Sequence, residues 1–594
     1  MEIKRVFDLL EMQLQKYPKT DALANKVNGS WKTYSTTEYQ TIANKISIAL
    51  VKKGIQKDDK VAIISPNRPE WNFVDIGIQQ IGAVSVPIYP TVTVEDYKFI
   101  FNDSKAKLVF VANEELYLKA KEASIGVDSI QHIYSFDELK GVSNWKDLIK
   151  DVQESEFATL TPLKEAVKSD DLVTLIYTSG TTGTPKGVML THGNFVSNVT
   201  SCIPLMPIDH TSRAFSFLPL CHVYERMLNY LYLGCGLSVY YAESMDTISD
   251  NLKEVHPNMF VTVPRLLEKV YDKIIAKGQE LKGIKRLLFF WALELGQRYE
   301  LDTDLGAWYR FQLKLANKLI FSKWREALGG NVKVIVSGGA ALQPRLARVF
   351  SAAQIIVMEG YGLTETSPVI AVNRWEEGDR RIGTVGPVIP GVEVKIAEDG
   401  EILSRGPHIM KGYYNRPDLT AEAIDKDGWF HTGDIGEFVE GKFLKITDRK
   451  KEMFKTSGGK YIAPGLMENK FKESKFIEQI MVVGDGRKFP AALIVPSFAF
   501  LKDWCAIKGI EYTTPDQMIK KPEIIARIGQ EVEELNNNFA QWEKIKRFEL
   551  LGKEFTINSG ELTPTLKLKR KAILANNAAL IEGIYEKAGA MAES

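Results

Sequence analysis

The chain has 594 residues, 45% hydrophobic and 25% charged, which are ordinary globular values that exclude a disordered tail or a collagen-like repeat. At about 150 residues per domain the length admits roughly four units, or fewer if one large α/β domain absorbs more. Lys and Arg total 76 against 75 Asp and Glu, a formal charge of +1, so there is no global basic field for nucleic acid.

The opening residues, MEIKRVFDLLEMQLQKYP, are amphipathic, with acids among the apolar positions. They hold no continuous apolar run and no small-residue cleavage site, so no secretion signal is expected. No stretch approaches about 18 uninterrupted apolar residues, so no membrane-spanning helix is expected. Cys202, Cys221, Cys235 and Cys505 are too far apart for a C-x-x-C site. That usage suits a reducing cytoplasm better than a disulfide framework or a structural zinc.

Along the chain, 60–65 (KVAIIS) reads as a buried strand, 70–81 as a helix and 83–88 (AVSVPI) as another strand. Further strands are expected at 107–111 and 332–336, the last followed by SGGA and a helix through 350. Short apolar strands alternating with helices predict α/β layers. From 392 to 405 and from 436 to 446 the pattern changes to hairpins, turning at Asp399-Gly400 and Glu440-Gly441. Beyond 451 come a hairpin at 479–496 and a charged helix at 523–541. The predicted fold is therefore a large α/β domain of sheets layered with helices plus a β-rich subdomain. A small α+β domain follows, with the boundary near Asp448–Lys451.

The sharpest local feature is YTSGTTGTPKGV, residues 177–188, directly after an apolar run. Small residues let backbone N–H groups wrap phosphate oxygens, hydroxyls on Thr178, Ser179, Thr181 and Thr182 add donors, and Lys186 adds a mobile cation. This is not the Walker pattern, because Pro185 stands where a glycine is required.

The chain resembles the adenylate-forming enzymes, which include acyl-CoA synthetases, luciferases and peptide-synthetase adenylation domains. The 177–188 segment is similar to their phosphate-binding loop, SGGAAL (337–342) to the adenine-side loop, YGLTETSP (361–368) to the central motif and HTGD (431–434) to the ribose motif. Residues 427–451, DGWFHTGDIGEFVEGKFLKITDRKK, are similar to the segment that marks fatty-acyl-CoA synthetases. The likeness covers nearly the whole chain.

The resemblance implies two steps: carboxylate attack on the α-phosphate of ATP, then replacement of AMP by the thiol of CoA. It implies an ATP site formed by Thr178, Ser179, Gly180, Thr181, Thr182, Gly183 and Lys186. Gly338, Gly339, Ala340, Tyr361 and Gly362 belong to the adenine side. Thr364 is implied to donate to the α-phosphate and Glu365 to ligate Mg²⁺, a hard cation normally shared with substrate phosphates. Asp434 and Arg449 are implied to hold the ribose. Domains 1–448 and 452–594 are expected to alternate about a hinge at 449–451, with Lys451 as pivot, Gly458 and Gly459 serving the CoA step. Lys567 falls where the family places its catalytic lysine. Thr-Leu precedes it instead of the usual Ser-Gly, so Lys569 remains a competing register.

FLPLCHVYER (217–226) matches the long-chain form of its motif, with His222 either lining the passage between acyl and pantetheine sites or serving as a hydrogen-bonded structural histidine. No aspartate is present there to pair an amino group, which disfavours an amino-acid substrate. Residues 283–328 interleave aromatics (Phe289, Trp291, Trp308, Phe311, Trp324) with Lys and Arg. Such a segment suits either a core helix or a peripheral membrane contact. The expected activity is fatty acid + ATP + CoA giving acyl-CoA, AMP and diphosphate in the cytoplasm. The alternatives are an acyl-AMP ligase loading a carrier protein, a ligase for another acid, and a non-catalytic nucleotide-binding or membrane-scaffold protein.

Overall fold

The structure is a computed structural model that describes residues 2–590 apart from 180–184, 302, 377, 558 and 564–566, with side chains except at 179 and 587–590. Among these residues two large sheets dominate. One runs Val369–Val372, Val357–Gly362, Val334–Ser337, Met259–Thr262, Arg213–Ser216, Ser238–Tyr241, Leu23–Val27, Ser30–Tyr34, parallel within and antiparallel at both edges. The other runs Gly412–Tyr413, Pro185–Thr191, Leu172–Ser179, Val84–Pro87, Lys60–Ile64, Ala106–Val111, His132–Ser135. It is parallel from Leu172–Ser179 onward and antiparallel before it.

Central strands such as KVAII and VIVS are apolar apart from one end residue, Lys60 or Ser337, because parallel strands are covered on both faces. Helix Pro69–Gln79 is buried at every position. Helix Val223–Cys235 lies in the same core and stops at Gly236, whose φ of +73° suits only glycine at little cost. Arg226 ties these layers together from a fully buried position. Its guanidinium bonds Asp75 at 2.5 Å, Tyr230 at 2.7 Å, Thr174 at 2.7 Å and Ser85 at 2.7 Å. A cation with no exposure is tolerable only because each of those groups answers it.

A four-stranded antiparallel sheet follows: Glu393–Ile396, Glu401–Arg405, Phe430–Val439, Phe443–Arg449. After it the chain forms a separate α+β unit, with the hairpin Phe454–Lys455/Tyr461–Ile462 and a sheet of Ile477–Val483, Ala491–Pro496 and Arg547–Leu550. This unit has apolar clusters of its own, centred on residues such as Phe471 and Leu493.

The expected strands and hairpins appear, with two corrections. The strand expected at 332–336 is Val334–Ser337. The helix expected to reach 541 ends at Asn536, where three consecutive asparagines are poor helix formers and Asn536 turns to bond both backbone groups of Ile545 at 2.9 Å. In the insertion, helices Gly283–Gln297 and Ala307–Ala316 bury Phe289, Tyr309, Phe321 and Trp324 from neighbouring turns, yet leave Trp308 and Phe311 exposed. Among the described residues no helix is long and apolar enough to cross a membrane.

Candidate active site

A cavity of about 890 Å³ opens where the two large sheets, the four-stranded sheet and the C-terminal segment around 563–569 converge. That size suits a nucleotide-sized ligand with an extension.

At its polar end, Asp434 and Arg449 face each other across the Phe430–Val439/Phe443–Arg449 ladder, Arg449 Nε lying 3.3 Å from Asp434 Oδ1. Tyr361 Oη donates to Asp434 Oδ2 at 2.7 Å. Burial raises the Asp434 pKa, and the nearby Arg449 and Tyr361 oppose that rise. A carboxylate flanked by a guanidinium and a phenol suits a vicinal diol. Tyr361 follows Gly360 and precedes Gly362, and at Gly362 no other residue fits, since a Cβ would stand 1.6 Å from the Pro368 carbonyl oxygen.

Glu365 lines the same cavity. Its Oε1 accepts from Tyr413 Oη at 2.8 Å, and its other oxygen takes no hydrogen bond among the described residues. Thr364 lies beside it, buried. Across from them Thr178 and Lys186 pair in antiparallel register, with Lys186 Nζ 5.0 Å above the Tyr413 ring. Gly180, Thr181, Thr182 and Gly183 lie outside the described residues, as does the side chain of Ser179. Gly338 and Gly339 line the wall, where a Cβ on Gly338 would press within 3.0 Å of Tyr224.

Lys567 enters from the C-terminal unit. Its backbone N–H bonds Thr563 Oγ1 at 3.0 Å while Thr563 N–H bonds the Lys567 carbonyl at 2.8 Å, two bonds that hold Lys567 where it lines the cavity. Burial, then the Arg449 charge, push its amine down to about 8, against the pull of Asp434, Glu452 and Glu365. Lys569 touches only the exposed rim. His222 lines the cavity and caps helix Val223–Cys235 by accepting the Tyr224 N–H at Nδ1, 3.1 Å. Burial and the Lys567 charge push it down to about 4, so it is neutral near pH 7.

Beyond His222 the cavity becomes an apolar slot. Val223, Met227, Leu228 and Leu231 form one stripe of the helix, facing Val336, Val369 and Val372 of the sheet. The helix stripe from His222 to Leu231 spans about 13 Å at 1.5 Å per residue.

Three expected residues stand apart from this gathering. Gly458 and Gly459 sit in the turn of the Phe454–Lys455/Tyr461–Ile462 hairpin, outside the cavity, where an added Cβ at Gly459 would meet nothing within 4 Å. Ala340 is exposed beyond the Gly338–Gly339 wall. Lys451 lies on the cavity rim between the two units. Conversely, Tyr413 and Tyr224 were not anticipated. Tyr413 reaches Glu365 only because strand Gly412–Tyr413 joins the edge of Pro185–Thr191, a pairing that carries no local sequence signal.

Residues 10–414 match the family model of the AMP-binding enzyme, and residues 452–589 that of the AMP-binding enzyme C-terminal domain. The chain is 34% identical over 569 residues to the long-chain-fatty-acid–CoA ligase FadD15 of Mycobacterium tuberculosis, covering 94% of each. It is 32% identical to the peroxisomal long chain acyl-CoA synthetase 7 of Arabidopsis thaliana, over 99% of this chain and 87% of that one. The fold is similar to that of Bacillus subtilis o-succinylbenzoate CoA synthetase solved with ATP and magnesium, with TM-score 0.67 and 19% identity, covering 95% and 98%.

Proposed function

The chain belongs to the AMP-binding enzyme family, and from that membership we propose that it is an AMP-forming ligase joining a long-chain fatty acid to coenzyme A. The reading rests on one observation above all. Lys567, Lys186, Glu365, His222 and the Asp434–Arg449 pair share a single cavity with an apolar slot that begins at His222.

In the first step a carboxylate oxygen attacks the α-phosphorus of ATP. The new P–O bond forms as the bond to the bridging oxygen breaks and diphosphate leaves. Two anions must meet, so fixed cations and donors at the reacting atoms carry most of the rate. Lys567 is assigned to bridge the acid and the α-phosphate, Lys186 the outer phosphates, Thr364 a donor to the α-phosphate and Asp434 with Arg449 the ribose. Magnesium fits Glu365, whose open oxygen can share a hard cation with phosphates; when bound it offsets their charge. Tyr413 holds that carboxylate in place from its other oxygen.

In the second step the CoA sulfur adds to the acyl carbon, the C–O bond to AMP breaks and the thiol proton passes to solvent. His222, neutral and at the junction of slot and cavity, is assigned to line the path of the thiol. The domain spans 1–448 and 452–594, with Lys451 as pivot, are part of the same proposal. Rotation about that pivot brings the open Gly458–Gly459 turn to the cavity mouth. The enzyme is assigned to the cytoplasm, working beside the membranes that hold its substrate, because each buried methylene contributes about 0.8 kcal/mol to partitioning.

A panel of acids from acetate to long-chain fatty acids, with AMP and free thiol both measured, tests the proposal. Equal release of AMP and consumption of thiol, greatest with long acids, is expected. Acid-dependent diphosphate release with neither thiol consumption nor free AMP points instead to an acyl-AMP ligase serving a carrier protein. Failure of every acid to exchange labelled diphosphate into ATP ends the ligase reading.

A further inference from the structure

Six of the twenty large apolar side chains exposed among the described residues lie on two packed helical segments of the insertion. Ile284 and Leu287 are on helix Gly283–Gln297. Trp308, Phe311, Leu315 and Leu319 run along Ala307–Ala316 and the turn Asn317–Phe321 that prolongs it. The last four are spaced three, four and four residues apart, which makes one stripe of a helix. Trp308 is 69% exposed and Phe311 59%, their rings stacked with centroids 5.7 Å apart. The other side of the same helix is already spent on the core, through Tyr309, Ala316 and Phe321. A surface helix normally turns polar residues outward, so folding of this chain alone does not account for the stripe.

The charge beside the stripe is predominantly positive. Residues 282–328 carry nine Lys and Arg against five Asp and Glu, in a chain whose net charge is only +1. Lys285, Lys314, Lys318 and Lys323 are exposed and form no ion pair among the described residues.

We propose that this face docks the enzyme on an anionic lipid bilayer, lying in the interface with Trp308 and Phe311 among the acyl chains and the lysines at the headgroups. Lysine is depleted at the centres of protein–protein interfaces, which argues against a protein partner. A second copy of the chain would set two cationic patches against each other across a two-fold axis. With no spanning helix among the described residues, the contact is peripheral. The use of the surface, collecting an acid dissolved in the membrane, rests on the long-chain reading above; the surface itself rests on exposure and charge.

The test uses full-length enzyme sedimented with phosphatidylcholine vesicles, with and without phosphatidylglycerol. Wild type is expected to bind the anionic vesicles and to release as salt rises. The double variant Trp308→Ser/Phe311→Ser should bind at least tenfold more weakly. Lys314→Gln/Lys318→Gln should lose about fivefold per lysine, on anionic vesicles only. Both variants should keep wild-type turnover with a short, water-soluble acid and lose turnover of acid presented in vesicles. Binding indifferent to anionic lipid and salt, or equal in wild type and both variants, overturns the proposal. So does concentration-dependent self-association that the aromatic variant abolishes, which assigns the face to a second copy. If vesicles do not bind while soluble acid is still activated, docking is refuted and the ligase reading stands.

Discussion

Replacing Lys567 with alanine separates the two half-reactions. The amine is a cation brought into a cavity already holding Arg449, and it stays charged near neutral pH because its pKa falls only to about 8. On the proposed assignment its partners in the adenylation transition state are the entering carboxylate and the α-phosphate. A unit charge about 4 Å from such an anion, at an effective dielectric of about 20, is worth about 4 kcal/mol. Losing it should slow adenylation by about 10³-fold. Diphosphate exchange into ATP measures that step, and reaction of synthetic acyl-AMP with CoA measures the other. Lys567→Ala should cripple the first and leave the second within a few-fold of wild type. Lys569→Ala, altering an exposed residue of the rim, should change neither by more than about twofold.

The same amine sets a pH limb. In the free enzyme it must be protonated to draw in two anions, so kcat/KM for adenylation should fall above about pH 8, the value to which burial pushes it. The acyl-AMP half-reaction should lack that limb. Equal losses in both half-reactions, or a loss that follows Lys569, would falsify the assignment.

Other outcomes follow from the same geometry. Asp434→Asn keeps the bond to Tyr361 but removes the charge opposite Arg449, and should raise the KM for ATP about tenfold or more while KM for the fatty acid stays put. Leu231→Trp fills the slot two turns beyond His222 and should shift preference toward shorter acids, each methylene excluded costing about fourfold in kcat/KM. Glu225 is pushed up to about 8 by burial against its bonds to Ser216 and Asn229, so the folded chain holds a proton that the unfolded chain releases near 4.5. Stability from that group is therefore full below about pH 4.5 and is lost at about 1.4 kcal/mol per unit as pH rises toward 8. Glu225→Gln should flatten that slope in denaturant melts from pH 5 to 9, and an unchanged slope would locate the titration elsewhere.

Much of the fold was legible because parallel strands covered on both faces are apolar along nearly all their length, as in KVAII and VIVS. Ser30–Tyr34 was not, since SWKTY is mostly exposed and its pairing to Leu23–Val27 depends on a two-residue turn with no alternating pattern beside it. The nucleotide residues fall in short contiguous motifs, so Tyr361, Glu365, Asp434 and Arg449 could be named together. Tyr413 could not, because it meets Glu365 across 48 residues through an edge strand two residues long. The Arg226–Asp75 pair spans 151 residues, and nothing in VYER shows that its arginine points away from the slot that Met227 and Leu228 line. Spacing within LKLKRK gives no depth, whereas the structure bonds Lys567 to Thr563 inside the cavity and leaves Lys569 exposed at the rim.

Charge balance also supplies a reason for the domain motion. Asp434 and Arg449 belong to the four-stranded sheet and Glu365 to the short 3-10 segment Thr364–Thr366, but Lys567 arrives on the C-terminal unit, bonded there to Thr563. Burial and Arg449 disfavour its charge, so the closed arrangement gains most when the cavity holds the several negative charges of ATP and a carboxylate. Once diphosphate has gone, acyl-AMP offers a single phosphate charge, and the attraction holding Lys567 in place falls by most of its value. On the proposed function the C-terminal unit would then be free to turn about 449–451, bringing the Gly458–Gly459 turn to the acyl carbon. Diphosphate added back to the acyl-AMP complex resynthesises ATP in Lys567 enzyme; beyond the acyl-AMP consumed that way, measured as ATP, it should slow thioester formation by re-closing the cavity, and should have little effect in Lys567→Ala. A rapid-quench measurement of acyl-CoA formation decides it: inhibition of equal strength in both enzymes would mean that diphosphate acts by occupying the thiol's path, and charge would have no part in the switch.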